Sequence, residues 1–181
     1  MKMYIPLLIG FASLNAQTIS LPKNSPISVL SSIETVDVER PNEIATFDPR
    51  WVDSLSLSLP CYGVPVPKRT MRLPNAPRNY RNGTHRGLDF FANWGTPVRS
   101  VADGIVVRSD LHYEEVPADF RENLLKATTK VGHTPSDIFN SVLLGKSVFL
   151  DHGFDLIPGF RTISIYAHLS HIEKEIVPGA I

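Results

Sequence analysis

Cysteine is nearly missing from this chain. Cys61 stands alone among 181 residues, so no disulfide scaffold can form within it. Neither charge sign is in excess, with 18 Lys and Arg against 18 Asp and Glu. Phosphate backbones recruit clustered basic surpluses, so no nucleic-acid partner is expected. The densest basic stretch, Lys68, Arg69, Arg72, Arg78, Arg81 and Arg86, is broken by prolines and reads as a solvated approach to a site. No apolar run reaches the ~18–20 residues that span a bilayer. No Gly-x-Ser-x-Gly elbow, phosphate loop or dinucleotide fingerprint occurs, and Cys61 lies in a proline-rich stretch unlike the surroundings of a catalytic thiol. Nucleophilic and nucleotide chemistry are therefore not expected.

What is present is turn chemistry, with 15 Pro and 11 Gly, which favours a β architecture over a helix bundle. The length suits one domain plus an appendage, and such a domain buries roughly two-thirds of its unfolded surface. Residues 1–16 read as an export signal: Lys2 supplies the positive start, Tyr4 to Leu14 the apolar run and Ala16 the small residue before cleavage. A buried N-terminal strand is the competing reading of the same residues. The expected location is outside the cytoplasm, in the periplasm, cell envelope or extracellular space, with no stable membrane anchor. Residues 17–60 read as a polar, Ser-rich leader, with period-two alternation at Val36, Val38 and at Leu55, Leu57, Leu59 suggesting short strands.

Residues 61–181 read as a mainly β domain built on an antiparallel sheet. Its first stretch, rich in proline (Pro60, Pro65, Pro67, Pro74, Pro77), predicts an extended loop. Thr84 to Phe91 is strand-like, and Asn93 to Gly95 is a turn. Val98–Val101 and Ile105–Val107 predict a hairpin across Ala102-Asp103-Gly104. Residues 110–144 change texture and predict a two-helix insertion. Phe120, Leu124, Leu125 and Ala127 mark the first helix; Thr134 as N-cap, Pro135 and the terminal Gly145 frame the second. Lys146–His152 and Phe160–Leu169 predict paired strands around an Asp151-His152-Gly153 turn, and a further element begins at Val177-Pro178-Gly179.

Two positions carry metal-ligand chemistry. His85 and Asp89 lie four apart, hence on one face of a strand, with Gly87 between them leaving room for an ion. An imidazole nitrogen and a carboxylate oxygen suit Zn²⁺, although a catalytic zinc takes three protein ligands and the same spacing also fits an ordinary surface pair. His168, closing a strand beside Tyr166, suits general acid–base or oxyanion chemistry as well as a half-buried structural post. His152 reads as structural, and His112, His133 and His171 receive no role.

Six short motifs occur in one order: His85-Arg-Gly-Leu-Asp89-Phe90, Gly95-Thr-Pro-Val98, Ala102-Asp-Gly-Ile-Val106, Asp151-His-Gly153, Tyr166-Ala-His-Leu-Ser170 and Val177-Pro-Gly179. Together they resemble the lysostaphin/LytM-type zinc metallopeptidases over roughly Gly83 to Gly179, about half of the chain. The resemblance implies zinc ligation by His85 and Asp89, catalytic assistance by His168, a small antiparallel β core, and hydrolysis of peptidoglycan peptides by a monomeric enzyme. In that family a His-x-His strand follows the Pro-Gly turn and supplies the third zinc ligand. This sequence has no His-x-His, so it is expected to be truncated at its C-terminus relative to the family. The alternative is a non-catalytic cell-wall binding or regulatory module.

Overall fold

The computed structural model describes residues 48–181 and the backbone of one N-terminal strand. The strands are β1 (Lys2–Phe11), β2 (Pro77–Arg78), β3 (Gly83–Thr84), β4 (Leu88–Asn93), β5 (Ile105–Ser109), β6 (Val148–Asp151) and β7 (Thr162–Tyr166). The helices are α1 (Arg50–Asp53), α2 (Ala118–Val131) and α3 (Ser136–Ile138), the last continuing as a π-helical turn over Phe139–Leu143. A five-stranded antiparallel sheet runs β4-β1-β7-β6-β5, and β2 pairs with β3 as a separate ribbon. The architecture is thus mixed, small antiparallel sheets plus a few helices, and the expectation of a mainly β chain is corrected to that extent. Within the run read as an export signal, Lys2–Phe11 forms β1, with Leu7 opposite Leu88 on one side and Tyr166 on the other.

β6 and β7 pair as the alternation predicts, Val148 opposite Tyr166 and Asp151 opposite Ile163. Gly153 then takes a left-handed φ of 59°, and its N–H donates to Asp151 Oδ1 at 2.9 Å. The expected hairpin over 98–107 does not form. Residues 98–101 are irregular, and their backbone is claimed from afar: Arg99 N–H donates to the Pro60 carbonyl and Val101 N–H to Tyr166 Oη. β5 pairs with β6 instead, with a bulge between Val106 and Arg108. Gly104 is required where it stands, because a Cβ there would lie 2.8 Å from both the Asp151 carbonyl and His152 Nδ1. Leu55, Leu57 and Leu59 form no strand either. Ser58 N–H donates to the Val101 carbonyl, and the leucines lie half-exposed along the surface. Val36 and Val38 lie outside the described residues.

The core is several small clusters around the sheet. Phe90, Val101 and Tyr166 form one, and Val106, Val148 and Ile172 another. Beneath them runs a buried polar chain. His152 Nδ1 lies 2.6 Å from the Asp103 carbonyl and its Nε2 2.7 Å from Ser164 Oγ, which sits 3.1 Å from Tyr166 Oη. A carbonyl only accepts, so Nδ1 carries the proton and Nε2 must accept from Ser164. The Tyr166 hydroxyl hydrogen is then directed to Ser164, while Tyr166 Oη accepts from Val101 N–H at 2.9 Å. His152 therefore holds loop 101–104 onto the sheet, the structural post its position implies.

The insertion leaves and rejoins the sheet at one point, closed by Asp110 N–H to the Ser147 carbonyl and Ser147 Oγ to Asp110 Oδ2 at 2.6 Å. α2 forms where its apolar spacing predicts and ends at Gly132, with φ 88°. Thr134 does not cap the second helix, whose N-cap is Pro135 without a side-chain bond. Its hydroxyl is spent on Arg81 instead.

Candidate metal and peptide site

The insertion, the β2–β3 ribbon and the ends of β4 and β7 enclose a cleft of about 180 Å³. Its walls include His85, Asp89 and His168 together with Phe139, Leu143 and Leu144 of the insertion. Residues far apart in sequence thus meet in one concave site.

His85 is not in the strand that its spacing predicts but in the bent connection between β3 and β4, the bend itself falling at Gly87. Its backbone is fixed by two bonds to the loop before β2: His85 N–H to the Ala76 carbonyl and Asn75 N–H to the His85 carbonyl, each 2.8 Å. The proline-rich approach is therefore a template for His85. The ring is fixed as well, with Nδ1 2.9 Å from the Leu73 carbonyl. That acceptor requires the proton on Nδ1 and turns the Nε2 lone pair into the cleft, the arrangement by which backbone carbonyls orient metal-ligating histidines.

Asp89 is the second residue of β4, with Oδ1 2.9 Å from His85 Nε2. A lone pair facing a carboxylate oxygen at that distance is repulsive unless a proton or cation lies between them, so the contact fits both a His–Asp ion pair and two ligands of one zinc ion. Among the described residues no third His, Cys, Asp or Glu completes a metal-binding group with them. Asp89 Oδ2 accepts from Arg78 NH2 at 3.2 Å, and the same nitrogen donates to the Met71 carbonyl. Arg78, which the sequence suggested was part of a solvated approach, is mostly buried and engaged with the carboxylate.

His168 follows β7 with φ 56°, left-handed backbone that non-glycine residues adopt mainly where their surroundings enforce it. Its N–H donates to the Leu144 carbonyl at 2.9 Å, tying it to the end of the insertion. Beside it, Gly145 takes φ 60°. Burial holds the His168 pKa below its ordinary 6.5; Arg121 and His85 also lower it, against opposing pulls from Asp89 and Glu115. The neutral ring can accept a proton or donate one hydrogen bond.

Arg81 locks the insertion to this wall. Its guanidinium donates to the Thr84 carbonyl at 2.6 Å and to Thr134 Oγ1 at 3.2 Å, and lies over the Phe139 ring at 5.5 Å. Arg86 covers the same ring at 4.8 Å. The contacts to Thr134 and Phe139 join chain segments more than fifty positions apart, so no local pattern could have announced them. His112, His133 and His171 are exposed and line no part of the cleft. The comparisons supply no relative: no family model matches the chain, and neither does any curated protein or solved structure.

Proposed function

We propose that the chain is an exported zinc metallo-endopeptidase of the lysostaphin/LytM type, acting on peptide bonds of bacterial cell-wall peptidoglycan. The observation that carries the reading is the convergence of His85, Asp89 and His168 on one cleft. His85 Nε2 and Asp89 Oδ1 would hold the metal, and the His-x-His that the resemblance implies for the third ligand is absent from the 181 residues. Zinc, when bound, supplies Lewis-acid polarisation of a carbonyl and lowers the pKa of a bound water. His168, neutral and pinned by Leu144, takes a proton from the attacking water and returns it to the departing amine. Leu73 fixes the His85 tautomer, and Phe139, Leu143 and Leu144 give the cleft its apolar lining. Export rests on Lys2, the apolar run to Leu14 and Ala16; among the described residues no helix is long and apolar enough to cross a membrane.

A second reading is a non-catalytic peptidoglycan-binding module. It is favoured by the two-ligand donor set and by Arg78 seated on Asp89. New amino groups released from purified peptidoglycan separate the two. The enzyme reading expects zinc-dependent release that His85→Ala abolishes. Sedimentation of the protein with peptidoglycan, without any release, selects the binding module.

A further inference from the structure

The cleft is lined by three arginines, Arg78, Arg81 and Arg86, against a single carboxylate, Asp89. Two of the three are occupied. Arg78 bonds Asp89 and the Met71 carbonyl, and Arg81 is buried against the Thr84 carbonyl and Thr134. Arg86 differs. It is exposed at the cleft wall, and among the described residues it makes no ion pair or hydrogen bond. Its one specific contact is the stack on Phe139 at 4.8 Å.

That contact sets the cation over the ring and leaves its N–H donors without a hydrogen-bond partner among the described residues. A stacked guanidinium has already lost much of its rotamer freedom, so its planar fork meets a carboxylate bidentately at reduced entropic cost. Phe139 is itself 6 % exposed and also has the Arg81 guanidinium 5.5 Å from its ring, so the platform under Arg86 is packed in place. Arg86 also directly follows His85 in the chain, which sets any bound anion beside the reacting centre.

We infer that Arg86, mounted on Phe139, is a specificity-determining residue that binds a carboxylate of the peptide substrate. The inference rests on the peptide-cleaving reading and narrows it to peptides carrying a free carboxylate close to the scissile bond. A chain terminus or an acidic side chain offers the same chemistry.

Calorimetric titration of the full chain, with its zinc content measured on the same sample, tests this. The probes are acetyl-tetraalanine as the free acid, its C-terminal amide, and an amide-capped tetrapeptide with one internal glutamate. Wild type should bind a carboxylate peptide about tenfold more tightly than the neutral amide. Preference for the free acid identifies a terminus; preference for the glutamate peptide identifies a side chain. Arg86→Gln should erase the preference while leaving amide affinity unchanged, and Arg86→Lys should restore part of it. Acid and amide affinities within about twofold in wild type, a preference that survives Arg86→Gln, or no binding of any probe would each overturn the inference. Carboxylate binding through Arg86 in a form that supplies the third ligand yet takes up no zinc would uphold it and sink the metallopeptidase reading instead.

Discussion

Arg81 and Thr134 hold each other twice. The Arg81 guanidinium donates to Thr134 Oγ1 at 3.2 Å, and the Thr134 hydroxyl donates to the Arg81 carbonyl at 2.8 Å. Through this exchange the insertion, which carries Phe139, is registered against the bent connection that carries His85. Arg81→Met removes the donors and leaves the Thr84 carbonyl unpaired, a loss of about 1–3 kcal/mol. The expected signature is faster amide hydrogen exchange across residues 118–143, with β6 and β7 unchanged. Uniform exchange behaviour in variant and wild type would mean that the insertion is held by something else.

The buried chain from His152 to Tyr166 makes a separate prediction. Tyr166→Phe keeps the ring in its cluster but removes the acceptor of Val101 N–H and the partner of Ser164. Orphaning buried polar groups costs about 1–3 kcal/mol, read as a lower urea midpoint at constant slope. A variant as stable as wild type would show that water replaces the hydroxyl there.

His168 gives the pH dependence. Burial lowers its pKa from 6.5 in the native state, so between that value and the depressed native one the unfolded chain binds more protons. Stability should therefore fall as pH drops below about 6.5, and recover as it rises. His168→Asn preserves a residue type that tolerates left-handed backbone, so the fold should survive while this share of the pH dependence disappears. Denaturant midpoints of both proteins at a series of pH values measure it; parallel curves would contradict the assignment.

Much of the local structure could be read in the sequence, and the failures share one cause. The apolar stripe from Phe120 to Ala127 and the alternation around Val148 and Leu150 are short-range signals, and α2 and β6 lie where they point. The Asn93–Gly95 turn was equally legible, with Thr96 N–H returning to the Asn93 carbonyl. The hairpin predicted across Ala102-Asp103-Gly104 failed because Pro60 and Tyr166 take up the backbone donors of Arg99 and Val101. Thr134 looked like a cap and became a partner of Arg81. At the cleft, spacing alone suggested His85 beside Asp89, but the bent connection rather than a strand delivers it. Arg78 on Asp89, eleven positions on, and the sharing of one cleft by Phe139 and His168 depend on tertiary contacts that no local pattern carries.

The central claim is that His85 and Asp89 are zinc ligands, and zinc uptake tests it most directly. A form of the protein that supplies the third ligand, and its His85→Ala and Asp89→Ala variants, would be dialysed to equilibrium against zinc and assayed for bound metal. That form should take up about one zinc per chain, and its two variants almost none, with all three proteins folded. A parent form that emerges metal-free, or variants that retain the metal, would contradict the claim.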